Sequence, residues 1–449
     1  MFGRNENLYY IFVAISLVYL LLKYYRNNFL ILFIILIFYD GLFAYFGSNI
    51  WNLYKAGLPI LLLFSLFWNK NMKFEFVIYK DVVIYYFLFS ISFMLSSFFN
   101  QDNLTLILNQ YSKYFILFLL VFILKSHSDF QSHFFSEKIK KLVTDLIIIQ
   151  VFLTIIKLYL IGLNESIIGS ISYIGGAAGT VFPVLGFIFL WGIKKGEFDT
   201  KEWTIVFLLL LVGYASMKRA IWFIMPVVIF LFYYYVPGKK LSKRLLYVIP
   251  LLPLIFYLGV RINPTLNPDK SFWGRFDLDY ALNYARDYSF GEGREASKKG
   301  RGGATLQLVK TLLTLDYSQR DLIGMGLKPM YTTDYEEFDK LGFDIGHKGS
   351  ANGIFQTYVT SGFIGVLFTL LFILSILNKI KNKRLKFAII AVFCWEYFFY
   401  TGIIMRTQAL SFLLVYFIIY SNGNYLKVPN GLNSKVRYVT APVVNNKQF

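Results

Sequence analysis

Runs of apolar residues recur along almost the whole chain, and they leave no way to fold it as a water-soluble globule. Residues 29–39 (FLILFIILIFY) and 203–212 (WTIVFLLLLV) are examples. Hydrophobic types make up 57% of the 449 residues and the mean hydropathy is +0.54, which places the chain among polytopic membrane proteins. A helix needs about 20 apolar residues to cross a ~30 Å hydrocarbon core. About thirteen segments approach that template: residues 8–22, 29–47, 50–68, 81–99, 105–124, 142–162, 178–193, 203–216, 220–236, 245–260, 352–377, 385–404 and 408–421. Several are short, so the expected count runs from about 12 to 14. The first run lacks a small-residue cleavage site and reads as an uncleaved signal anchor. The sole cysteine, Cys394, falls inside a span, which excludes an intramolecular disulfide and a cysteine-based metal site.

Basic residues set the orientation. Segments 23–28, 69–80, 125–141, 194–202, 237–244, 378–386 and 427–449 hold 25 of the 45 Lys and Arg residues, and alternate spans place them all on one side. The positive-inside rule makes that side cytoplasmic. Parity then puts the short N-terminus and residues 261–351 outside and the C-terminus inside. The chain divides into an N-terminal bundle of about ten helices (1–260), an external loop (261–351), C-terminal spans (352–421) and a cytoplasmic tail (422–449). The loop carries 13 basic and 13 acidic residues, so the net charge of +19 arises elsewhere and serves orientation. Scattered over turns, those charges form no continuous stripe for nucleic acid.

Six cations break the positive-inside pattern. Lys55, Lys113 and Lys157 lie in the outer halves of expected spans, and Lys218, Arg219 and Arg406 lie in tight outer turns. A mid-membrane charge costs about 2.5–3.5 kcal/mol on insertion scales, so each needs a partner, a wet cavity or a route to the interface. A lysine near a span end also snorkels, and Asp40 and Glu396 offer two counter-charges. Six cations against two acids still leave an excess that an anion at the outer leaflet would satisfy. In the turn Ser216-Met217-Lys218-Arg219-Ala220 two spans meet almost without a loop, which suits a phosphate clamp or a headgroup anchor.

Within the external loop, Arg294, Lys298, Lys299 and Arg301 cluster ahead of residues 304–315, where Leu306, Val309, Leu312 and Leu313 mark an amphipathic helix. Such a cluster is either a solvated basic turn or an anion site strengthened by a helix N-terminus. Arg320-Asp321 precedes Gly324-Met325-Gly326, a Gly-x-Gly without the βαβ surroundings of a nucleotide fold. His347 is the only histidine expected outside, since His127 and His133 fall in a basic segment, and it is the candidate general base. No cluster has metal-ligand spacing and no cofactor motif is present, so neither a metal nor a cofactor is expected. Tyr280, Tyr284 and Tyr288 offer faces for sugar stacking, or simply the interfacial tyrosines common in membrane proteins.

Taken together, SMKRAIW, the spacing from Arg301 to Gly324-x-Gly326, and the junction SANGIFQTYVTSGFIG resemble the O-antigen polymerase and O-antigen ligase superfamily of membrane glycosyltransferases. The similarity is carried by residues 203–377. It implies a GT-C-like fold, a metal-independent transfer at the outer face of the bacterial inner membrane, and Arg219 and Arg301 on the pyrophosphate of an undecaprenyl-linked glycan. Lys218, Lys298, Lys299, Arg294, Arg320, Asn352, Gln356, Lys113, Lys157 and Arg406 are the further candidates for binding that substrate. The family often has His-Asn at the junction. Here the pair is Ala351-Asn352 and the histidine stands at 347, so either His347 acts from a shifted position or no histidine base is used. The expected partners are undecaprenyl-pyrophosphate-linked oligosaccharide, membrane lipids and a chain-length regulator. A polymerase is favoured over a ligase acting on lipid A-core, and a flippase for lipid-linked oligosaccharide is the rival of another class.

Overall fold

The computed structural model describes residues 5–25, 28–67, 79–126, 133–162, 167–173, 178–194, 198–216, 221–233, 251–290, 301–314, 318–331, 351–381 and 383–399, with 409, 411–413 and 415. Every regular element among them is a helix. In chain order these are α1 (Glu6–Tyr24), α2 (Phe29–Ile37), α3 (Asp40–Tyr45), α4 (Ser48–Phe67), α5 (Lys80–Phe99), α6 (Leu104–Ser126), α7 (His133–Ile161), α8 (Ala178–Lys194) and α9 (Thr200–Ala215). They continue with α10 (Ile221–Tyr233), α11 (Leu251–Ile262), α12 (Leu278–Phe290), α13 (Arg301–Leu313), α14 (Gln319–Ile323), α15 (Lys328–Tyr331), α16 (Gly353–Leu377) and α17 (Lys383–Phe399).

In lipid, each backbone polar group must be satisfied within its own segment or by protein, which is why apolar runs of this length become helices. Asparagine side chains start four of them: Asn5 accepts from the Leu8 N–H, Asn28 from the Leu30 and Ile31 N–H groups, Asn103 from the Thr105 N–H, and Asn352 from the Phe355 N–H. Six helices among the described residues, α1, α4, α5, α6, α7 and α16, are long and apolar enough to cross a membrane. The chain is therefore an all-helical polytopic membrane protein. Other expected spans are shorter or interrupted here; α9 has 16 residues and α10 has 13. Most of the expected span 408–421 lies outside the described residues.

Two ion pairs tie the basic segments together. Lys23 Nζ lies 2.7 Å from Asp145, joining α1 to α7, and Lys379 Nζ lies 2.5 Å from Asp81, joining the end of α16 to the start of α5. The pairs gather those turns at one end of the bundle, hereafter the basic end. The opposite end, where residues 261–331 emerge, is the loop end.

The expected span 29–47 is two helices rather than one. The chain leaves α2 at Phe38 and Tyr39 and re-enters helix at Asp40, and the gap is filled by residues 167–173, between α7 and α8. Ser170 donates its hydroxyl to the Phe38 carbonyl at 2.9 Å and accepts the Gly41 N–H on its own carbonyl at 2.9 Å. Gln150 of α7 holds the segment from behind, taking the Ser170 N–H on Oε1 at 2.7 Å and donating from Nε2 to the Ser170 hydroxyl at 2.9 Å. Ile167, Ile168 and Ile171 are buried, although they belong to no helix. Gln150 lies about 16 Å of helix before the end of α7 at Ile161, so this non-helical backbone sits deep and needs these protein partners.

Gly41 is the point of closest approach, since a Cβ there would stand 2.8 Å from the Ser172 carbonyl carbon and 2.9 Å from the Ser170 oxygen. Gly57 in α4 has nothing within 4 Å of that position. Gly41→Ala is expected to destabilise the purified protein by roughly 1–3 kcal/mol through overpacking, while Gly57→Ala leaves stability unchanged or raised. Thermal unfolding in detergent checks this; equal melting of the two variants would mean that residues 167–173 do not press on α3.

Candidate functional site

Helix α16 is broken near its loop end. Gly362, about 14 Å of helix from the first residue, has φ 65° and ψ −169°, a conformation that interrupts the helix and favours glycine. A break there removes the N–H groups that would otherwise reach the carbonyls of residues 359 and 360. Both carbonyls find substitutes. Met325 donates its N–H to the Val359 oxygen at 2.7 Å, and Ser96 of α5 donates its hydroxyl to the Thr360 oxygen at 2.6 Å.

Met325 belongs to Gly324-Met325-Gly326, so the Gly-x-Gly of the external loop serves as a backbone plug. Gly324 and Gly362 press against each other: a Cβ on Gly324 would meet the Gly362 nitrogen at 2.5 Å, and one on Gly362 would meet the Leu322 carbonyl oxygen at 2.3 Å. Gly326 in turn faces Asn100 and Asp102, in the turn between α5 and α6.

That turn bolts the plug down. The Asp102 carboxylate accepts the Leu327 N–H at 2.8 Å and the Lys328 N–H at 3.3 Å, while Asn100 Nδ2 donates to the Gly324 carbonyl at 3.2 Å. Burial pushes the Asp102 carboxyl above its usual range, and the two backbone N–H donors oppose that shift. On the other flank, Tyr358 of α16 donates to Asp321 of α14, which is itself capped by Ser318. Residues 318–331 are thus part of the bundle, not a free lid.

A second joint lies at the first turn of α16. Asn352 is fully buried; its Oδ1 accepts from Phe355 N–H, and its Nδ2 donates to the Thr305 hydroxyl at 2.5 Å and to the Phe398 carbonyl at 2.8 Å. Thr305 also donates to Phe398 at 3.1 Å. One asparagine therefore ties α13, α16 and α17 together. Just below it, Tyr397 donates to the Thr357 hydroxyl at 2.8 Å.

The sequence candidates divide accordingly. Asn352, expected to bind substrate, spends its amide on the joint, and the Gln356 amide, on Ala351 carbonyl at 3.0 Å, closes the same turn. Arg301 opens α13, one turn before Thr305, and so stands next to the joint. Lys113 donates to Gln110 at 2.8 Å and lies 5.9 Å from the Tyr331 ring, beside the plug. Lys157 is buried elsewhere, 5.3 Å from the Tyr9 ring and within the field of Glu6. Arg320 is exposed on α14. His347, Lys218, Arg219, Arg294, Lys298, Lys299 and Arg406 lie outside the described residues.

The expected amphipathic helix exists as α13. Leu308, not singled out in the sequence, is its buried leucine at 2% exposure. Leu306, Val309 and Leu313 are 46%, 45% and 80% exposed, forming an apolar stripe at i, i+3 and i+7 that turns away from the protein. At the loop end of a membrane bundle such a stripe suits the lipid interface. Closer to α11, Arg261 donates to the Gly274 carbonyl and the Tyr257 hydroxyl, both at 3.0 Å, and its guanidinium lies 4.7 Å from the Trp273 ring. Tyr284 packs on the small core of Val260, Leu266 and Ala281, so it serves packing as well as surface.

Among the described residues, no group of three His, Cys, Asp or Glu side chains converges where it could hold a metal ion. Neither the models of known protein families nor the curated proteins give a match to this sequence.

Asp102, missed in the sequence, carries the plug. Asp102→Ala strands two backbone N–H groups and is expected to cost about 1–3 kcal/mol. Limited proteolysis of the variant should cut within 318–331 under conditions that spare the wild type. Identical cleavage would show that the turn does not hold the plug.

Proposed function

We propose that the protein is a metal-independent, GT-C-like membrane glycosyltransferase that polymerises polysaccharide repeat units at the outer face of the bacterial inner membrane. Its substrates are undecaprenyl-pyrophosphate-linked oligosaccharides, with a chain-length regulator as partner. The observation that carries this is the Thr305–Asn352 bond between residues 47 apart in sequence. It sets the first turn of α13, with Arg301, against the start of α16, so that two separate parts of the family-like pattern are neighbours in space. The third part, Lys218-Arg219, falls in the short connection between Ser216 and Ile221. Those two residues lie outside the described residues; α10, which starts just after them at Ile221, packs against α17.

The chemistry follows from charge. A sugar hydroxyl of one lipid-linked unit attacks the anomeric carbon of the growing glycan, a new C–O bond forms, and the C–O bond to pyrophosphate breaks. The hydroxyl proton passes to a base, for which His347 is the candidate, and the pyrophosphate departs with its negative charge. Arg219 and Arg301 offset that charge as it develops, with the N–H groups at the start of α13 adding to the same field. A ligase acting on lipid A-core would use the same arrangement with another acceptor.

A transporter is the reading that the broken helices favour, since transporters bind cargo at such breaks. There, free carbonyls face the cargo. Here the Val359 and Thr360 carbonyls are taken by Met325 and Ser96, which speaks for a fixed scaffold.

Arg219→Ala and Arg301→Ala are each expected to lower polymerisation by about 100- to 1000-fold, with the protein still in the membrane. Gel analysis of cell-surface glycan checks this: single repeat units should persist while ladders vanish. Wild-type ladders in both variants would contradict the pyrophosphate role. His347→Ala should slow the same reaction about 100-fold or more if it is the base, and full activity would place the base elsewhere.

A further inference from the structure

A cavity of about 380 Å³ lies between α4 and α6, with Tyr111 of its lining also hydrogen-bonded to Tyr86 and Ser90 of α5. Its polar groups gather toward the loop end, from Asn52 and Lys55 on α4 and Asn109 on α6, while Pro59, Leu108 and Phe115 supply apolar walls. Leu108 is 57% exposed, so the cavity opens sideways onto the surface that meets lipid. Its lysine is incompletely answered by protein. Lys55 Nζ lies 3.0 Å from the centre of the Trp51 ring, and no carboxylate among the described residues comes within ion-pair distance of it. The nearest acid, Asp40, reaches Lys55 with its field but takes its hydrogen bond from the Trp51 indole at 2.9 Å.

We propose that this groove is a lateral site for an anionic glycerophospholipid, the chemistry of a phosphatidylglycerol. The phosphate neutralises Lys55, and one acyl chain lies along Pro59 and Phe115. An ethanolamine headgroup would bring a second ammonium beside Lys55. A volume near 400 Å³ suits a headgroup with part of one chain, within the usual range of small-ligand sites. The other chain remains in the bilayer against Leu108 and Leu53, itself 75% exposed. Charge together with apolar contact selects the occupant.

Native mass spectrometry of the full chain in detergent tests the proposal, with phosphatidylglycerol, phosphatidylethanolamine or a polyprenyl phosphate added at equal concentration. Phosphatidylglycerol should be retained in preference to the other two. Lys55→Gln should weaken its retention about tenfold, the scale of one lost charge-assisted contact. Leu108→Trp, a change at a lipid-facing position that fills the groove without touching its polar end, should do the same with unaltered melting. Equal retention of phosphatidylglycerol and phosphatidylethanolamine would overturn the proposal, as would undiminished binding in Leu108→Trp. Displacement of phosphatidylglycerol by polyprenyl phosphate would also overturn it, by assigning the groove to a lipid-linked substrate.

Discussion

A helix crossing lipid cannot be broken unless something else satisfies the carbonyls it releases, and the break in α16 at Gly362 is the constraint on which the loop end depends. Each unsatisfied group in that setting costs several kcal/mol. The Met325 N–H and the Ser96 hydroxyl answer the two carbonyls, so segment 318–331 and helix α5 are conditions for α16 to exist in this form. The close approach needs Gly324 facing Gly362, since side chains on either would drive into backbone. Asp102 and Asn100 then fix the plug from the α5–α6 turn, and the Lys379–Asp81 pair holds the other end of the same two helices.

The α2–α3 break repeats the device with different residues. There too a non-helical segment enters the bundle, a glycine permits contact, and buried side chains supply the missing partners. Gln150 and Ser170 play the parts that Asn100, Asp102 and Ser96 play around α16. Both plugs stiffen the loop end, and the Asn352 joint adds α13 and α17 to one of them. The setting suits a reaction needing fixed cations beside a lipid surface, because arginines stabilise a departing charge best when little must reorganise.

The apolar runs made the class, the long spans and the basic end legible, because length and charge alone decide them. The breaks were not legible. Hydropathy averages a window and is blind to a dihedral angle, so Gly41 and Gly362 disappeared within apolar stretches. Gly324-Met325-Gly326 was visible and was weighed against nucleotide binding and within the family resemblance, but its use as a plug depends on Val359, 34 residues further along. Asn352 shows the same limit from the other side. Its place at the junction was plain, but its amide serves as a cap and a tie between helices, which no local pattern announces. Leu308 was missed because helix position alone does not say which face meets protein and which meets lipid.

Hydrogen exchange of the detergent-purified chain tests the plug most directly. The Met325 amide, with those of Leu327 and Lys328, should exchange as slowly as amides in the middle of α5 and far more slowly than that of Thr314 at the end of α13. Exchange at Met325 as fast as at Thr314 would mean that the plug does not fill the break in α16.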